Sequence, residues 1–166
     1  MSSLKMLTCY KAWADELIFK TLESLPSGEA TKERPTRFKN MVHTLNHAYV
    51  IDCIFRAHLE GKPHHYTARN TPTHPPLPEL WKLVKIIDQW YIDYAASLSS
   101  QQLSEDIRFD FVGGGGGIMS RREIILHVVN HGTYHRGFVG DMMYQVPVVP
   151  PATDLPVFLR DVWQCN

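Results

Sequence analysis

Cysteine is scarce in this sequence. Cys9, Cys53 and Cys165 are the only three in 166 residues, they are scattered, and no two form a C-x-x-C pair. That argues against a disulfide framework or a CxxC redox site. A reducing cytoplasm is the expected setting, with Cys9 and Cys53 packed in the core. Excess charge is also lacking: Lys plus Arg and Asp plus Glu both number 17. No net field therefore argues for nucleic acid or a membrane surface as partner. No window approaches the ~20 apolar residues of a membrane span. Lys5, Lys11, Asp15 and Glu16 interrupt the N-terminal run that a signal peptide would need. With 44% apolar and 20% charged residues, the composition is that of a globular domain rather than a disordered chain. The length predicts one domain over residues 1–166.

Histidine, by contrast, is plentiful, and three of the nine fall in residues 120–145, SRREIILHVVNHGTYHRGFVGDMMYQ. Ser120 and Glu123 fit the S-x-x-E box that opens a helix. Ile124, Ile125, Val128, Val129, Val139, Met142 and Met143 then recur at helical spacing. His127, His131 and His135 lie four apart, one above another on consecutive turns. His131 and His135 share the side of Ile124, Phe138 and Met142, and a core histidine needs a hydrogen-bond partner or a metal ion. Two on successive turns can reach one ion. The HExxH protease motif has this spacing, but Val128, Gly132 and Arg136 follow the histidines where it requires glutamate. A metal site thus needs a further ligand from elsewhere.

Residues 4–25 read as a first helix, with Tyr10 and Trp13 as core aromatics, stopped by Pro26-Ser27-Gly28. Residues 36–60 read as a second, ended by Gly61 and Pro63. This helix has two apolar sides. Phe38, Met41, Val42, Leu45, Tyr49 and Leu59 mark one; His43, His47, Val50, Ile51, Ile54 and His58 mark the other. One side can pack into its own domain, and the other is a candidate dimer contact. Residues 62–78 hold five prolines and read as a linker, with His64, His65 and His74 solvated. A third helix follows Pro78. Ile107, Phe109 and Phe111 alternate as in a short strand. Gly113 to Gly117 lack the Lys-Ser/Thr of a phosphate loop and read as a hairpin or lid near the site. Pro147, Pro150, Pro151 and Pro156 keep the tail irregular up to a last turn or short strand at residues 157–162. The expected fold is an all-α four-helix bundle with one long crossover and a short β-hairpin before the last helix.

His47 supplies the missing ligand if its helix adjoins the last one, since both His47 and His131 lie mid-helix. His43 competes for that place, and His127 competes with His131 or His135. Three imidazoles leave positions open for water or substrate, as in a catalytic site.

These segments resemble the DinB-like, or DinB/YfiT-type, metal-binding four-helix bundles. The likeness is carried by HVVNHGTYHRG in the last helix and by His47, Asp52, Phe55 and Gly61 in the second. YKAWADELIFKTLESLP supports it, with Asp15 where the family usually has Asn, as does the tail PPATDLPVFLRD. The resemblance implies an up-down-down-up bundle, frequently a homodimer, holding one divalent ion on His47, His131 and His135. Zinc or nickel is the expected metal. It also implies a small thiol or other small molecule as substrate, and a metal-dependent thiol S-transferase as the candidate activity. The alternatives are a metal-dependent hydrolase and a non-catalytic, metal-stabilised dimer that binds a ligand in a stress response. An acid is expected to orient the ligand imidazoles, from among Asp15, Glu16, Asp88 and Asp93. Tyr10, Trp13, Tyr134 and Arg136 are candidate pocket residues, Arg136 for a carboxylate.

Overall fold

The computed structural model describes residues 3–163; Cys165 lies outside them, and Cys9 and Cys53 are half-buried free thiols. Four long helices form the body: α1 (Ser3–Glu23), α2 (Met41–Glu60), α3 (Leu77–Ser97) and α5 (Arg121–Tyr144). Between the last two lie the single turn α4 (Ser100–Leu103) and a hairpin of β1 (Asp106–Asp110) and β2 (Gly116–Ser120). A short helix, α6 (Leu155–Asp161), forms in the tail where sequence suggested only a turn or strand. Among the described residues no helix is long and apolar enough to cross a membrane.

Helix directions follow from which ends share a core. Ile18, Phe19 and Leu22 late in α1 pack with Met41, Val42 and Leu45 early in α2, with Leu80 and Val84 early in α3, and with Val139, Met142 and Met143 late in α5. At the other end, Ile54 and Leu59 of α2 meet Tyr91 of α3 and Ile124 and Val128 of α5, and Leu4 meets Ala95 and Ile125. So α1 and α5 run one way and α2 and α3 the other: an up-down-down-up bundle, as expected. Antiparallel α2 and α5 are packed neighbours, which brings their midpoints together.

Local chemistry sets the ends. Ser120 accepts from the Glu123 N–H, and the Glu123 carboxylate returns a bond to the Ser120 N–H. Ser120→Ala removes that cap and is expected to cost about 1 kcal/mol in a denaturant titration. α2 starts at Met41, later than the apolar pattern implies, because Asn40 caps the His43 N–H and Lys39 adopts a left-handed φ of 65°. The hairpin turns through Gly113, Gly114 and Gly115, whose φ values of 126°, 96° and 92° suit glycine.

Residues 62–76 are a linker solvated only in part: His65 is exposed as expected, while His64 and His74 are half-buried. The segment lies on the second face of α2, where Asn70 donates to the His43 carbonyl, Thr71 O pairs with the His43 ring, and Asn46 donates to both Asn70 and Thr71. His74 contacts Asn40, and the Nδ1 of His64 is buried. The second side of α2 is therefore covered by its own chain at His43, Asn46 and His47.

The core also encloses ions. Lys11 is 2% exposed and its ammonium contacts Asp15 at 2.9 Å, Asp52 at 2.9 Å and Asp88 at 2.6 Å. Arg136 joins the cluster at Asp15, 2.9 Å away. Three carboxylates against two cations leave one negative charge in excess. Burial pushes Asp88 up to about 7 and Asp52 to about 6, against the pull of Lys11. The cluster thus tends to keep one proton. A carboxyl raised from 3.8 to about 7 stabilises the fold most below 3.8, and that contribution fades as pH rises through 7. Asp88→Asn mimics the protonated form. Its stability at pH 8 is expected to equal or exceed that of the wild type, which has by then lost the proton. Its stability should also fall less than the wild type's between pH 5 and pH 8, as thermal melts across that range would show.

Candidate metal centre

His47 of α2 meets His131 and His135 of α5. The ring centroids are 5.0 Å apart for His47–His131, 4.6 Å for His47–His135 and 4.4 Å for His131–His135. One nitrogen from each ring lies within 4.8 Å of the other two. The Nε2 atoms of His131 and His135 are 3.1 Å apart. His47 Nδ1 faces the Arg69 carbonyl at 2.5 Å. A carbonyl only accepts, so Nδ1 carries the proton and Nε2 keeps its lone pair. Phe38 stacks on the same ring at 4.5 Å and 22°, holding its plane.

All three imidazoles are biased to the neutral form that ligates metals. Burial pushes His131 down to about 3, with help from the charges of its neighbours, and His135 down to about 4. Burial lowers His47 as well; its Arg69 hydrogen bond opposes this, while the charges of Arg69 and Arg37 add to it.

The donor set fits a divalent ion. Metal–nitrogen bonds of about 2.0–2.1 Å at tetrahedral angles put ligand nitrogens about 3.3 Å apart, close to the 3.1 Å between His131 and His135. A cavity of 580 Å³ opens against His47 and His135. Phe38, Tyr134, Phe138 and Met142 form its apolar walls, and Arg37, Arg69 and Asn70 supply polar lining.

The competing histidines are placed elsewhere. His43 is engaged by Thr71. His127 packs on Phe55 at 4.7 Å, and its ring is 5.4 Å from His131. Among the described residues no acid orients the triad. The Nδ1 atoms of His131 and His135 are buried with no protein partner. Asp15 and Asp88 are bound into the Lys11 cluster, Glu16 pairs with Lys20 at the surface, and Asp93 accepts from Gln89. Arg136 is 3% exposed and held by Asp15 and Thr133, on the side of α5 away from the triad. Tyr10 and Trp13 pack on Phe158 of α6, as core aromatics. Of the four proposed pocket residues, only Tyr134 lines the cavity beside the triad. The glycine turn borders a separate 270 Å³ cavity with His58 and Phe109.

Sequence reasoning missed Phe38 as a wall, the Arg69 carbonyl, and Lys11. The signal for Lys11 was present: a lysine on the same stripe as Leu4, Ala14 and Ile18 has to find anions inside.

An up-down-down-up bundle in which two facing helices bring three neutral imidazoles together beside a cavity defines a helical-bundle protein with a candidate metal centre. The family model described as "DinB family" matches residues 1–162. The chain belongs to the DinB family. It is 26% identical to Protein DinB of Bacillus subtilis (strain 168) over 156 residues, 90% of each chain. Its fold is similar to the crystal structure of a DinB-like protein from Bacillus cereus ATCC 10987, with a TM-score of 0.64 and 15% identity over 87% of this chain and 91% of that one.

Proposed function

We propose that His47, His131 and His135 bind one divalent metal ion, zinc or nickel, and that the chain is a metal-dependent thiol S-transferase. The observation that carries this reading is a triad of neutral imidazoles, two of which, His47 and His135, line a 580 Å³ cavity, with no fourth protein ligand in the cluster among the described residues. A bound divalent ion would lower the pKa of a small thiol and so supply a thiolate at neutral pH.

The protein's own residues do the rest. The Arg69 carbonyl and Phe38 fix the His47 ring, so that Nε2 faces the other two imidazoles. Phe38, Tyr134 and Phe138 offer an apolar surface to the carbon skeleton of an electrophile. Among the described residues no carboxylate lines the cavity. That favours thiol transfer over hydrolysis, because hydrolysis is helped by a general base near the attacking water, whereas an acidified thiol is already a nucleophile.

The test starts with metal analysis of protein purified without a nickel column. Consumption of an activated haloarene is then followed with and without a small thiol. Thiol-dependent turnover that His131→Ala abolishes is the expected result. Equal turnover in wild type and variant would leave only a metal-binding or ligand-binding role.

A further inference from the structure

We propose that Arg37 and Arg69 form an anion-recognition pair for the cavity beside the triad, which therefore takes ligands with a carboxylate or phosphate group on an aromatic or apolar body. This rests on reading that cavity as the ligand site, and it names the ligand's charge and shape.

The chain as a whole is electrically even, with 17 basic and 17 acidic side chains. This face is not. Among the described residues no Asp or Glu lines the 580 Å³ cavity, and none lines the adjoining 490 Å³ cavity that shares Arg37, Phe38, Ala68 and Asn70 with it. Nearby cations are already engaged: Lys32 and Arg34 by Glu29, and Lys39 by Glu33. Arg37 and Arg69 enter no ion pair among the described residues, and both are exposed. Arg69 also lines the 270 Å³ cavity that Asp110 borders, but no ion pair joins the two among the described residues. Two unpaired guanidinium groups beside the acid-free 580 Å³ cavity raise the local concentration of anions.

Both residues are tied to the triad. The Arg37 guanidinium lies 5.8 Å from the centre of the Phe38 ring, and that ring stacks on His47. The Arg69 backbone carbonyl holds His47 Nδ1. A ligand whose anion rests on these two groups has its body directed along Phe38, Tyr134 and Phe138 toward the imidazoles. The planar fork of arginine matches the paired oxygens of carboxylate and phosphate. The cavity volume lies in the range of small-ligand sites.

Binding is tested by calorimetry on the full chain, chelator-treated so that no anion can bind through a metal. The probes are naphthoate, naphthylphosphonate and the uncharged naphthamide. At least one anionic probe is expected to bind the wild type roughly tenfold or more tightly than naphthamide, and whichever is tighter separates carboxylate from phosphate recognition. In Arg37→Gln/Arg69→Gln that preference disappears while naphthamide binding is unchanged. Circular dichroism checks that this double variant of exposed residues stays folded. Equal binding of charged and neutral probes, no binding of any probe, or an undiminished preference in the double variant overturns the proposal. Because the readout needs no metal and no turnover, it can succeed where thiol transfer fails, and the reverse.

Discussion

Replacing His131 by alanine is expected to abolish stoichiometric metal binding while leaving the metal-free protein folded. Structural zinc sites with four ligands bind with about 10–16 kcal/mol, or roughly 3 kcal/mol per ligand. Losing one imidazole of three therefore weakens affinity by about two orders of magnitude or more. The measurement is competition with a chromophoric chelator, followed by thermal melts with and without the ion. At a free metal concentration 100-fold above Kd, the ion stabilises wild type by about 2.7 kcal/mol. That corresponds to a Tm gain of about 5–11 °C for a chain of this size, and the variant should show none. The metal-free variant should melt within a few degrees of metal-free wild type. His131 is only half-buried, and its Nδ1 has no hydrogen bond to lose. A variant that still binds one ion at wild-type affinity would remove the triad from the site.

Lys11→Met is expected to be the most destabilising single change in the core. It keeps the volume of the side chain but strands Asp15, Asp52 and Asp88, all at most 5% exposed, without their shared cation. Breaking a buried ion pair by removing one partner costs about 3–5 kcal/mol, a Tm loss of about 6–20 °C. Because the stranded carboxylates can take up protons, much of the loss should be recovered at low pH. Adding Asp52→Asn and Asp88→Asn to Lys11→Met should restore stability at neutral pH. A Lys11→Met protein that melts with the wild type at pH 8 would show that the cluster stabilises nothing.

Bundle and triad were legible for one reason: helical spacing is local. Ser120 and Glu123 marked the start of α5, and His131 and His135 are set four apart by the helix itself. His47 was placed by its position mid-helix, and the antiparallel packing of α2 on α5 made that position decisive. What could not be read was long-range. Asp15 and Asp88 looked like candidates to orient histidines, because nothing local shows that Lys11 lies between them and Asp52. Arg136 follows His135 directly, yet one step along a helix turns it toward Asp15. Residues 62–76 looked solvated by composition. Their polar side chains and carbonyls bond to the polar groups of α2, a match that only the fold reveals.

The neighbours His135 and Arg136 show how tightly α5 is keyed. One face of this helix presents imidazoles to a cavity, and the other sends a guanidinium into a sealed pocket, where a Cβ at Gly132 would sit 3.1 Å from Arg136 and 3.3 Å from Lys11. A single residue inserted between Ser120 and His131 would swing everything after it by about 100°. The ring nitrogens would leave the cavity wall as the guanidinium left its aspartate. Changes in chain length are therefore tolerated in the glycine turn ahead of Ser120, and α5 itself acts as a ruler with two scales that cannot be reset separately.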